Sequence, residues 1–263
     1  MRKKQFVIIW IILALGMVLG SFIDLPLSLK LYDESNRIGI FMNFMAMVPS
    51  FILLEVCCCV SSWYHRDDRQ LFFITALCCP LSGIFCADEL YRWFNNNTMA
   101  VVITGTVAGL LFLTVFALIN PRINRRKAVI AESVMFAAAG IFLFTTFLKF
   151  LWGRQRFYTM DDPLSQFTNW LKLSPIGFHD TYRSFPSGHT SFASLLLCAA
   201  AMPGIGDIRK RRIIFLIIAL VWLVMVMYGR IVYGAHFMTD TCAGALIGTF
   251  CVYIGTERIE RRI

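Results

Sequence analysis

Residues 129–151 read VIAESVMFAAAGIFLFTTFLKFL, an apolar run that carries Lys149 close to its end. A helix of that length, rising about 1.5 Å per residue, crosses the roughly 30 Å hydrocarbon layer of a bilayer. Working outward, runs of the same character stand at about 6–23, 38–60, 71–87, 99–119, 189–203, 213–230 and 237–254. The run at 189–203 is short. The expected fold is therefore all-α: a polytopic membrane bundle of about eight transmembrane helices. The first run follows Arg2, Lys3 and Lys4 and is read as an uncleaved anchor, because no small-x-small cleavage site comes after it.

Composition agrees. Of 263 residues, 58% are hydrophobic and 16% charged, too few charges to coat a soluble domain of this size. Twenty-four Phe and six Trp suit lipid-facing surfaces and interfacial belts. The net charge of +9 would raise nucleic-acid binding in a soluble chain, but here the positive-inside rule accounts for most of it, and no nucleic-acid partner is expected. With the N-terminus in the cytoplasm and alternating spans, 16 of the 25 Lys and Arg fall inside, among them Arg66, Arg69, Arg122, Arg125, Arg126, Lys127, the run Arg209–Arg212, Arg258, Arg261 and Arg262. Lys149, Arg156 and Arg230 fall outside or at the edge. Both termini are expected in the cytoplasm, and the residue set described below on the extracytoplasmic face of the cell membrane.

The nine cysteines lie mostly within apolar runs and read as small hydrophobes. No paired C-x-x-C pattern suggests zinc, and a disulfide framework is not expected at such depth. The chain reads as one membrane domain, 1–263. Asn120-Pro121 and the stretch Met202–Gly206 read as turns. Residues 152–188 form a long polar connection on the outer side. Within it Leu164, Phe167, Trp170 and Leu171 recur at helical spacing after Pro163, which predicts a short helix lying at the lipid surface.

Three blocks carry chemistry. Lys149-Phe-Leu-Trp-Gly-Arg-Gln-Arg156 sets a point charge and a guanidinium fork seven residues apart, donors that suit phosphoryl oxygens. Pro186-Ser187-Gly188-His189 makes a bend into a helix, with a hydroxyl, a bare backbone for close approach and an imidazole placed to protonate a leaving oxygen. Gly229-Arg230-Ile-Val-Tyr-Gly-Ala-His236-Phe-Met-Thr-Asp240 adds an oxyanion clamp and a His-Asp pair one helical turn apart. There the carboxylate can take one imidazole proton and leave the other nitrogen free to attack. Ionisable groups beside membrane spans are costly, so several together point to a functional site. Arg154, Arg183, His179, Asp180, His65 and Glu55 are not assigned to it; a structural hydrogen bond is the expected role of Glu55.

Taken together, the blocks resemble the type-2 phosphatidic acid phosphatase superfamily, whose pattern is Lys-x6-Arg-Pro, then Pro-Ser-Gly-His, then Ser-Arg-x5-His-x3-Asp. The likeness covers roughly 129–255 and leaves 1–128 as spans of unknown role. It implies that His236 is the nucleophile and becomes a phosphohistidine, that Asp240 orients it, and that His189 protonates the leaving oxygen. Lys149, Arg156, Ser187, Gly188 and Arg230 would bind phosphate. No metal or other cofactor is expected. Phe157 stands where the family has Pro, and Gly229 where it has Ser. Many membrane members have six spans, two fewer than read here. The implied activity is hydrolysis of a lipid phosphate or isoprenyl pyrophosphate held in the bilayer, with undecaprenyl pyrophosphate, phosphatidic acid and phosphatidylglycerol phosphate as candidate substrates. A lipid phosphotransferase using the same histidine and an anion-binding transporter are the alternatives. A vanadium-dependent haloperoxidase shares the residue pattern, but so many spans argue against it.

Overall fold

The computed structural model describes residues 3–94, 97–174, 179–201 and 209–263. It is helical, with no strand among the described residues. In chain order the helices are α1 (Lys3–Leu31), α2 (Arg37–Met45), α3 (Val48–Tyr64), α4 (Arg69–Phe94), α5 (Thr98–Ile119), α6 (Arg125–Trp152), α7 (Pro163–Gln166), α8 (Gly188–Ala193), α9 (Leu197–Ala201), α10 (Arg209–Val232) and α11 (Met238–Arg262). Asn36, Asn97 and Asn124 cap α2, α5 and α6, each accepting backbone N–H bonds of the first turn. Pro49 at the start of α3 separates it from α2, although the two together make one span.

Among the described residues seven stretches are long and apolar enough to cross a membrane, where eight were expected. The exception is the run expected at 189–203. Its apolar helix covers Gly188–Ala200, about 20 Å at the helical rise, and a 3-10 turn at Ser194–Leu196 interrupts it. The turn expected at Met202–Gly206 lies outside the described residues. Large apolar side chains such as Ile12, Leu15, Leu111, Phe147 and Ile218 are exposed around the bundle, as lipid contact requires.

Two ends can be told apart. At one, Glu132 accepts from Arg262 and meets His65 Nε2 at 2.9 Å. Between the two ends Trp10 of α1 donates to Thr249 of α11 at 3.0 Å, so the two helices run antiparallel. At the other end Asp24 of α1, Arg154, Ser184 and Asp240 of α11 come together. The start of α1 and the end of α11 therefore lie at the Glu132 end, opposite the three chemical blocks. The segment from Ser187 to Ser194 runs beside α11 away from the blocks. Gly244 faces Ser187 O and Gly248 faces Ser191 O, and a Cβ on either would lie 2.3 or 2.4 Å from that oxygen. This small-xxx-small pair lets α8 press its backbone against α11, as tight membrane packing demands. A second pair, Gly105 and Gly109, does the same for α5 against α4.

The loop after α6 departs from the surface-helix expectation. α7 spans only Pro163–Gln166. Phe167 turns inward against Phe237, ring centroids 5.3 Å apart, and Trp170 stacks on Phe185 while donating to Ser21 Oγ at 2.8 Å. Only Leu164 and Leu171 of the four remain exposed. The partly buried rings of Phe167 and Trp170 thus pair with aromatic partners inside the protein instead of lining one lipid-facing helix face.

Candidate active site

Gly153 ends α6 in the left-handed conformation, φ 51°, which a residue with a side chain adopts only at a cost. That turn leaves Lys149 at the helix end and sends Arg154 inward and Arg156 to the mouth of a cavity of about 230 Å³. Lys149, Arg156, Gly188, His189 and His236 all line it, so residues far apart in the chain face one space. Arg183, not assigned from sequence, is in the wall too. Nε of Arg156 and Nε of Arg183 are buried without a hydrogen-bond partner among the described residues, two N–H donors left for an anion. Arg156 otherwise binds Asp180 at 2.7 Å, a carboxylate that the motifs leave unassigned. The site of a Cβ on Gly188 lies 3.5 Å from Lys149 Nζ, so the backbone and the ammonium flank the same pocket.

Ser187, Arg230 and Asp240 are buried beside the cavity and do not line it. Ser187 caps α8 and accepts from Thr190 Oγ1 at 2.9 Å. The guanidinium of Arg230 is held by Asn43 of α2. Gly229, where the family has Ser, makes room for this: a Cβ there would meet Met42 at 2.5 Å, so glycine lets α2 lie close. Phe157, in place of the family Pro, is buried edge-on to Tyr32 and Phe237.

The His-Asp pair differs from expectation. His236 precedes α11 rather than sitting in it, and its Nδ1 is 3.9 Å from Asp240 Oδ2, beyond hydrogen-bond reach. Nδ1 instead lies 2.6 Å from Ser184 O. A carbonyl can only accept, so Nδ1 carries the proton and Nε2 keeps its lone pair. Asp240 works one step removed. Its Oδ2 accepts from Ser184 Oγ at 2.6 Å and from Phe237 N at 2.8 Å, and its backbone oxygen accepts from Ser187 N. It fixes the loops on both sides of the imidazole.

Four residues that the motifs leave without a role complete the arrangement. Asn43 is one. Glu89 of α4 meets His189 Nε2 at 3.1 Å. Asp24 of α1 and Asp240 share Arg154, at 2.9 and 2.6 Å, with all three side chains about 1% exposed or less. Arg154 also donates to Thr239 Oγ1 and to Thr168 O, and its guanidinium lies 4.0 Å from the Phe237 ring centre. The spans before residue 129 thus reach into the site through Asp24, Asn43 and Glu89. For the two acids the signal in the sequence is an ionisable residue within an apolar helix.

Burial first, then the charges of Arg230, Arg156, Lys149 and His189, hold the His236 imidazole well below its ordinary value of 6.5. The unfolded chain binds a proton near that value and the folded chain does not. Stability is therefore full above about pH 6.5 and falls as pH drops toward the lowered folded value. Melting in detergent between about pH 7 and 5 should show this loss in the native chain and a smaller one in His236→Gln.

A family model described as the PAP2 superfamily matches residues 128–263. The chain belongs to the PAP2 superfamily. All three blocks lie within the matched part, whereas Asp24, Asn43 and Glu89 precede it. PAP2 members are phosphatases acting on phosphate esters, so membership supports a phosphoric ester hydrolase, and the apolar helices suggest a multi-pass membrane protein. No curated protein and no solved structure matches it.

Proposed function

We propose that this PAP2 protein hydrolyses a lipid phosphate or isoprenyl pyrophosphate through a phosphohistidine on His236. One observation carries the reading: the Nδ1–H of His236 is committed to Ser184 O, and the ring reaches a cavity that also holds His189, Lys149 and Arg156. Nε2 attacks phosphorus, a P–N bond forms, and the P–O bond to the lipid breaks. His189 gives its proton to the departing oxygen. In the second half water attacks phosphorus, His189 takes its proton, the P–N bond breaks and phosphate leaves. Lys149 and the donors of Arg156 and Arg183 stabilise the charge on the equatorial oxygens, with Gly188 letting the backbone approach. Ser187 and Arg230 support this cradle from behind.

Phe85 and Phe142, both in the cavity wall and partly exposed on the outside of the bundle, support a lipid substrate by offering an apolar sill beside the charged pocket. The basic Glu132 end supports a cytoplasmic placement of both termini and an extracytoplasmic site. Purified protein given a panel of lipid phosphates and pyrophosphates, with and without vanadate, tests the reading. Vanadate-sensitive phosphate release from lipid substrates is the expected result, and no release from any of them overturns it. Glu89→Gln should lower kcat with little change in KM in the same assay, because Glu89 positions the proton donor rather than the phosphate; an unchanged kcat removes it from the mechanism.

A further inference from the structure

Away from the phosphate cavity, Glu55 lies in the middle of α3 and is 7% exposed. Neither of its carboxylate oxygens has a hydrogen-bond partner among the described residues. Its polar neighbours are the Cys79 thiol and the Ser82 hydroxyl, and the hydroxyl donates to Phe51 O at 3.0 Å. A bare carboxyl group in a membrane span is costly to hold unless something binds it. Two sulfurs stand beside it. A carboxylate oxygen of Glu55, Cys59 Sγ and Cys79 Sγ all lie within 4.8 Å of one another, and all three residues are buried. The two sulfurs are 3.7 Å apart. Two thiolates on one tetrahedral zinc ion, each about 2.3 Å from it, stand about 3.8 Å from each other.

We propose that Glu55, Cys59 and Cys79 bind one thiophilic d10 cation of the zinc type, which clasps α3 to α4. Coordination exchanges two S–H protons for two metal–sulfur bonds and gives the carboxylate its missing partner. Three protein ligands leave a fourth position, open to the buried Cys58 next to Cys59 or to a small ligand. A cavity of about 340 Å³ that Glu55, Ser82 and Cys86 help to line offers the way in. The clasp also has a consequence for the catalytic end, since α4 carries Glu89 to His189 and a metal at Cys79 fixes the register of that helix. A search for C-x-x-C pairs passes over the site, because Glu55 and Cys59 are one turn apart on one helix and the third ligand sits on the next.

The test uses the full chain, purified reduced in detergent, equilibrated with Zn²⁺ and freed of excess. Elemental analysis should find about one zinc per chain, with sulfur directly bound to it by X-ray absorption. His236→Ala should hold the same amount, which separates this site from the phosphate chemistry. Zinc affinity should fall roughly tenfold or more in Glu55→Gln and in the double variant Cys59→Ala/Cys79→Ala. The proposal is overturned if the native chain holds well under one zinc, if the bound metal lacks sulfur neighbours, or if the double variant, still releasing phosphate, keeps its metal. Should that variant fail to fold, the native chain's metal content and its sulfur neighbours decide the question alone.

Discussion

His236→Ala is expected to insert and fold like the native chain, yet to release phosphate about 10⁴-fold more slowly or not at all. The ring is buried, and the change opens a small hole, but no buried ion loses its partner: the Nδ1–H acceptor is only the Ser184 carbonyl. The loss therefore falls on chemistry. Phosphate-binding groups are untouched, so KM or the binding of a nonreactive analogue should change little. This separates the hydrolase from an anion-binding transporter, which would keep its function when the cations around the cavity are intact. Phosphate release, measured alongside membrane content, gives the answer, and near-normal turnover would refute the assignment of the nucleophile.

The second large effect lies at Arg154, which looks incidental in the sequence. Arg154→Ala leaves Asp24 and Asp240 buried at the same place with no cation between them. Removing one partner of a buried ion pair costs about 3–5 kcal/mol, and here two carboxylates are stranded together. The variant should melt far below the native chain in detergent and show no phosphate release. Arg154→Lys should not restore it, because one ammonium cannot reach Asp24, Asp240, Thr239 and Thr168 as the planar fork does. Asp24→Asn is the milder version. It keeps an acceptor for Arg154, so the chain should fold, but the aim of Asp240 and hence of the His236 loop relaxes. Displacing catalytic groups by about an ångström typically costs about 10²-fold, and the loss should appear in kcat rather than KM. A silent Asp24→Asn would show that α1 holds no part in catalysis.

The contrast between these residues explains what the sequence discloses. Lys149, Arg156, Gly188, His189 and His236 are legible because each sits in a short motif whose internal spacing is the signal, and the cavity unites them. Asp24 and Glu89 escape for a related reason. The apolar runs end at residues 23 and 87, just before each carboxylate, because a charge lowers local hydropathy. The helices continue to Leu31 and Phe94, and the carboxylates belong to them. Arg154 is easily passed over because a cation after a helix end usually just reaches for water, and only the fold reveals two acids waiting for it. The His-Asp spacing is as expected and the contact is not: helical geometry allows a direct bond, but the chain enters α11 two residues after His236, and Ser184 takes the intervening place. The count of spans differs for a physical reason as well, since Gly244 and Gly248 let a short helix with a 3-10 turn pack against α11 where hydropathy alone suggests a full crossing.

The most direct measurement is to mix the enzyme with substrate carrying labelled phosphorus, quench in alkali within a single turnover, and map the label by peptide mass spectrometry. An acid-labile, alkali-stable phosphoramidate is expected on the peptide that contains His236, formed and lost at rates that match turnover. Full turnover with no label on His236, or with the label on another residue, would contradict the phosphohistidine mechanism.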